Sequence, residues 1–164
     1  MMYYFASMNT LDESLMNAVK EGKLLESSRT NIRLLLDGTK SPIAREAVEE
    51  LAAAGEWQEL NDRFYKTLAF GTGGLRGRTI GSIVTRAEQG NGGVNGRPEY
   101  PCVGTACMNY FNVGRAMRGL IIYVNKHVEA TDPGRKPRLV IGHDTRHFSR
   151  DFAEFCAKIG TDLG

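Results

Sequence analysis

Arg138-Leu139-Val140-Ile141-Gly142-His143-Asp144-Thr145-Arg146-His147-Phe148-Ser149 is the stretch on which the reading of the fold turns. Arg138 to Ile141, with Leu139, Val140 and Ile141 consecutive, stops at a glycine and reads as a buried strand. Asp144 and Arg146 follow at its C-terminal end, where open α/β sheets place their ligands. Ser149 then offers a hydroxyl cap to a last helix that carries Phe152, Phe155, Cys156 and Ile159 on one face. A strand followed by a helix is the first half of a βαβ crossover. The predicted fold class is therefore α/β, an incomplete mixed or parallel sheet flanked by helices.

Working outward, Thr131-Asp132-Pro133-Gly134 makes a turn, and Val113, Met117, Leu120, Ile121 and Val124 before it keep the period of a helix. Lys126 and His127 lie near that helix's C-terminus, where positive charge is favourable. Residues 86–104, with Gly90, Gly92, Gly93, Gly96 and two Asn-Gly pairs, read as a mobile excursion, and Thr79 to Val84 as a short strand. The N-terminal part is helical in pattern. Thr10-Leu11-Asp12-Glu13 has the form of a capping box ahead of Leu11, Leu15 and Val19. Ser41-Pro42 is a helix start, followed by Ile43, Ala47, Val48 and Leu51. Trp57, Leu60, Phe64 and Leu68 continue at spacings of three and four, as core contacts. The expected division is a helical lead-in over 1–69 and an α/β part over 70–164.

Between these parts lies Phe70-Gly71-Thr72-Gly73-Gly74-Leu75-Arg76-Gly77. Clustered glycines permit positive φ and close backbone approach, so that N–H groups can line an anion-binding concavity, and an arginine beside them suits phosphate. Arg76 stands where a dinucleotide fingerprint would need its third glycine, and no Gly-Lys-Ser/Thr follows for a P-loop. Arg76 is the candidate catalytic and phosphate-binding residue, because its planar fork of five donors matches a phosphate. Thr72, Gly73 and Gly74 are the candidate shapers of its loop.

Taken together, the Gly71–Gly77 loop, the helix after it and the Asp144-Thr145-Arg146 segment resemble the first domain of the α-D-phosphohexomutases, the phosphoglucomutase and phosphomannomutase family. Trp57 to Phe64 looks like the lead-in of its longer phosphoglucomutase and phosphopentomutase branch. The resemblance spans roughly residues 10–164. It implies an isomerase that moves a phosphoryl group between hydroxyls of a sugar phosphate through a phosphoserine and a sugar bisphosphate, which also serves as activator. It also implies Mg2+ as cofactor, Arg76 facing the phosphoserine and substrate, and Asp144 and Arg146 shaping the cleft as a mutual or cross-domain salt bridge. The family's phosphoserine loop T-A-S-H-N-P, metal loop D-x-D-x-D-R and sugar-reading loop G-E-x-S-G are not among these residues. The expectation is an amino-terminal stretch, inactive by itself, whose sugar the sequence leaves open. A phosphopentomutase or sugar-bisphosphate synthase of the same family is one alternative, and a non-catalytic anion-binding module another.

Composition narrows the rest. A chain of 164 residues with 41% hydrophobic content suffices for one domain or part of one. The net charge of +2 and a pI near 8.5 are too mild for a nucleic-acid footprint. Residues 1–69 carry −3 and residues 70–164 carry +5, a bias toward anionic ligands in the second part. Cys102, Cys107 and Cys156 are odd in number and lack C-x-x-C spacing, which disfavours a disulfide framework or zinc site. His143 and His147 lack a third ligand partner. No secretory signal or membrane-length apolar run is visible, so the expected compartment is the cytoplasm. Met8 is an alternative start to Met1.

Overall fold

A computed structural model describes residues 2–71 and 73–163, with side chains from Thr10 onward. Seven helices order the described residues: α1 Met2–Lys20, α2 Glu26–Gly38, α3 Pro42–Ala53, α4 Trp57–Phe64, α5 Arg86–Gln89, α6 Tyr110–Thr131 and α7 Ser149–Asp162. A single 3-10 turn, Val94–Gly96, lies between α5 and α6. The chain divides into two compact units, Met1–Met108 and Asn109–Gly164.

In the first unit, α1, α2 and α3 pack on one another, and α4 packs on α2 and α3. The reason is apolar spacing: Leu11 and Leu15, Ile32 and Leu35, Val48 and Leu51, and Leu60 and Phe64 are all buried. Each such side chain withdrawn from water contributes about 1.5–3 kcal/mol before entropy is counted. Polar clasps fix the angles between helices. Asn61 on α4 accepts from Leu25 N and donates to Lys23 O, both at 2.9 Å, and Asn31 on α2 donates to Phe64 O at 2.7 Å. Pro42 begins α3 as its spacing predicts, although the Ser41 side chain makes no capping hydrogen bond.

The second unit pairs α6 with α7. Met117 and Ile121 meet Ile159 in a small core, with Phe155 and Cys156 against it. Gly114 lets the helices approach closely there, since a methyl group at that position would stand 3.1 Å from the Phe155 ring. Tyr110 meets Phe152 and Phe155 edge-on, with centroids 5.4 and 5.1 Å apart.

The α/β expectation is overturned. Helix makes up 57% of the structure and strand 1%, and the described residues form no sheet. Arg138 to Ile141 forms no strand, and neither does Thr79 to Val84. A strand exists only through a partner that takes its hydrogen bonds, and no described segment pairs with either run. Leu139, Val140 and Ile141 are exposed rather than buried, Val140 completely so. Two local expectations also change. Helix α1 runs through Thr10 instead of starting there. Ser149 is the first residue of α7, and buried Phe148, at φ 65°, takes the capping position without a side-chain bond.

Candidate functional site

The glycine-rich loop closes on itself. Gly71 N donates to Gly74 O and Gly74 N to Gly71 O, both at 3.1 Å, a two-rung antiparallel bridge. Gly73 at φ 83° and Gly74 at φ 112° occupy backbone conformations that side chains rarely adopt, which explains the composition. Because Gly71 and Gly74 bond each other, the amides of Gly73, Leu75, Arg76 and Gly77 are the ones in the loop that donate to no described residue. Arg76 is exposed, and its guanidinium leans back over the loop: a methyl group at Gly73 would stand 3.1 Å from Nη2. Among the described residues Arg76 has no hydrogen-bond or ion-pair partner. Thr72 lies outside the described residues. Phe70, at the loop's entrance, is 81% exposed.

What holds this loop is a buried ionic cluster that the sequence reading did not single out. Arg63 on α4 is fully withdrawn from solvent, with Nε 2.7 Å from Glu59 Oε1 and Nη1 2.5 Å from Glu88 Oε1. It also donates to the carbonyls of Ile83 and Val103. Burial opposes the charge, but the Glu88 and Glu59 carboxylates outweigh it and raise the Arg63 pKa above its ordinary value. Arg78, half-buried, adds a second guanidinium 3.1 Å from Glu59 Oε1. Thr85 and Glu88 cap α5 reciprocally, so the carboxylate that pairs Arg63 also orders the helix start.

This cluster supports an irregular but buried segment, Pro101 to Cys107. A buried loop must satisfy its backbone, and this one does so partner by partner. Cys102 N donates to Thr79 O, Ala106 N to Arg63 O and Met108 N to Arg78 O, at 2.8, 2.9 and 3.0 Å. Val103 N donates to Glu88 Oε1 at 2.7 Å, and Leu68 N to Thr105 O at 2.7 Å. Gly77 fits against it only as glycine, since a methyl group there would stand 2.9 Å from Ala106 O. The Arg76 loop is thus anchored just after Arg76 by residues 77–79. The excursion expected over residues 86–104 is buried at Glu88, Cys102 and Val103. Sequence signals for the cluster existed: Glu59 and Arg63 are spaced i, i+4 on the face of α4 that also carries Leu60 and Phe64, and Thr85 to Glu88 has capping-box form.

In the second unit Asp144 and Arg146 pair with each other. Asp144 Oδ1 accepts from Arg146 N at 3.0 Å and Oδ2 from Arg146 Nε at 2.8 Å. The Arg146 amide, the Ser149 hydroxyl and the Arg146 side chain hold the Asp144 carboxyl below its ordinary pKa. Ser149 Oγ accepts from Asp144 N at 3.1 Å, the task it performs in place of capping α7. His143 Nδ1 lies 3.2 Å from Asp144 O.

Among the described residues no group of three or more His, Cys, Asp or Glu side chains converges as a metal site. Among them, too, no helix is long and apolar enough to cross a membrane. No family model matches the chain, and neither a curated protein nor a solved structure does.

Proposed function

We propose that the Gly71–Gly77 loop binds the phosphate group of a sugar phosphate through Arg76, and that the chain is the amino-terminal part of a phosphosugar mutase. The observation that carries this reading is an exposed arginine with no partner among the described residues, leaning over a glycine loop whose Gly73, Leu75, Arg76 and Gly77 amides are also uncommitted. Such a fork meets two phosphate oxygens at once, and main-chain amides add fixed dipoles that need no reorganisation. In the mutase reading, Arg76 holds the phosphoryl oxygens during transfer to and from a serine carried on segments that the family places after this stretch. Glucose or mannose 1-phosphate and 6-phosphate are the substrates of that reading, and the excess positive charge of residues 70–164 favours them.

The test is a titration of the protein with glucose 1-phosphate and with inorganic phosphate, followed through the amide resonances of residues 71–77. Saturable shifts centred on Gly73, Leu75 and Arg76, absent in Arg76→Ala, support the phosphate site; shifts that survive the substitution overturn it. The mutase assignment has its own test. With glucose 1-phosphate, magnesium and catalytic sugar bisphosphate, residues 1–164 turn over no substrate above a contaminant-controlled blank, and turnover by this chain would show that the roles are divided differently.

A further inference from the structure

We propose that Cys102 and Cys107 form a redox-active dithiol, oxidised within the folded protein by a small peroxide to an intrachain disulfide. Their sulfurs lie 3.2 Å apart at the two ends of the buried turn Cys102–Cys107. A disulfide at about 2.05 Å requires them to close by only about 1.2 Å. Gly104 makes the approach possible, since a methyl group there would stand 2.9 Å from Cys107 Sγ and 2.6 Å from Arg63 O.

The surroundings separate this pair from an inert buried thiol. Buried cysteines are unreactive when their environment is apolar, because it disfavours the thiolate. Here the two thiols share one hydrogen bond, in which either sulfur can be the donor, and that bond together with Arg63 and Arg78 lowers the Cys107 pKa against the cost of burial. The same hydrogen bond and the burial push Cys102 up. The Arg78 guanidinium hydrogen-bonds Cys107, which assigns Cys107 as the attacking sulfur and Cys102 as the resolving one. Arg63, Arg78, Glu59 and Glu88 carry two charges of each sign. A neutral disulfide leaves that balance intact, whereas a lasting thiolate would add an uncompensated negative charge to the interior.

The chemistry balances with one peroxide. The Cys107 thiolate attacks one peroxide oxygen; an S–O bond forms, the O–O bond breaks, and the departing hydroxide takes up the proton that Cys107 released, leaving as water. Cys102 then attacks the Cys107 sulfenyl sulfur; the S–S bond forms, the S–O bond breaks, and the second hydroxide leaves as water with the Cys102 proton. Two electrons pass from the sulfurs to the peroxide. Burial of both cysteines selects a small oxidant over a bulky one. Segment 102–108 also takes the carbonyls of Arg78 and Thr79, so the bridge braces the chain immediately after Arg76. The inference does not depend on what Arg76 binds.

The test treats the folded protein with hydrogen peroxide, removes the oxidant, and alkylates under denaturing conditions before peptide mass analysis. Cys102 and Cys107 are expected together in a species lacking two hydrogens, alkylated only after reduction, while half-buried Cys156 remains alkylated. In Cys102→Ser, dimedone captures a sulfenic acid on Cys107; in Cys107→Ser, Cys102 stays unmodified at the same dose. Full alkylation of both cysteines at a dose that oxidises Cys156 overturns the proposal. So does an oxidised product that has lost its helical circular dichroism, since the bridge would then form only outside the fold.

Discussion

Arg63 Nη1 and Glu88 Oε1 meet at 2.5 Å across twenty-five residues of sequence, both withdrawn from solvent. One belongs to the bundle helix α4 and the other to the short capped helix α5, so this contact ties the irregular residues between Phe64 and Met108 to the helical core. Removing one partner of a buried pair strands the other charge, at a cost of about 3–5 kcal/mol. Glu88→Ala and Arg63→Met are each expected to lower stability by about that amount. Glu154→Ala, which removes an exposed pair with Arg150, is expected to leave the denaturation midpoint unchanged. Urea unfolding of the three variants checks the ordering, and a Glu88→Ala midpoint equal to wild type would falsify the structural role of the pair.

Glycine substitutions separate close packing from open surface. A methyl group at Gly104 would overlap Arg63 O at 2.6 Å, so Gly104→Ala should destabilise by about 1–3 kcal/mol or more. At Gly119 in α6 nothing lies within 4 Å, and alanine there should stabilise the helix by about 0.5–1 kcal/mol. Thermal melts of the two variants should move in opposite directions.

Arg76→Ala should leave stability unchanged, because the side chain is exposed and contacts no buried group. Phosphate affinity should fall by the worth of a charged hydrogen bond, about 1.5–3 kcal/mol, or roughly tenfold to more than a hundredfold. Arg76→Lys keeps the charge but loses the fork and should recover only part of that loss. Calorimetric titration with glucose 1-phosphate reads the three affinities, and equal values would remove Arg76 from the site.

The Asp144 carboxyl is held below its ordinary 3.8, first by the Arg146 amide. A depressed carboxylate contributes its stabilisation above the unfolded pKa and loses it as pH falls through the folded pKa. The Asp144–Arg146 corner should therefore remain intact from neutral pH down past 3.8 and open only in stronger acid. The Arg146 amide resonance, followed through an acid titration, reports this; a midpoint at or above the ordinary value contradicts the geometry.

The helices with an unbroken apolar stripe were legible in the sequence: α3, α4, α6 and α7 lie where Val48, Leu60, Met117 and Ile159 place them. Helix α2 was not, because buried Ser28 stands in its stripe beside Ile32 and Leu35 and its first half also carries Ser27, Thr30 and Asn31, which are weak helix formers. The strand around Val140 misled for a different reason. Continuous apolar residues state that a segment seeks cover, but a strand depends on a second segment that no local pattern announces. In the loop, the positive φ of Gly73 and Gly74 followed from composition. The ionic cluster did not, since Glu59 and Arg63 on α4, Arg78 after the loop and Glu88 on α5 come from three places and become one group only when α4 is buried.

The two hydrogen bonds between Gly71 and Gly74 set how often the loop is ready for a ligand. At about 0.5–1.5 kcal/mol net for each bond, opening both costs roughly 1–3 kcal/mol, so the open form makes up about one-sixth of the population at most and under one-hundredth at the upper end. A binding-competent state that is already dominant reduces apparent affinity by almost nothing. An anion meeting this loop therefore selects a shape that is waiting for it, and its arrival rate, rather than a slow rearrangement of the chain, limits how fast the loop fills.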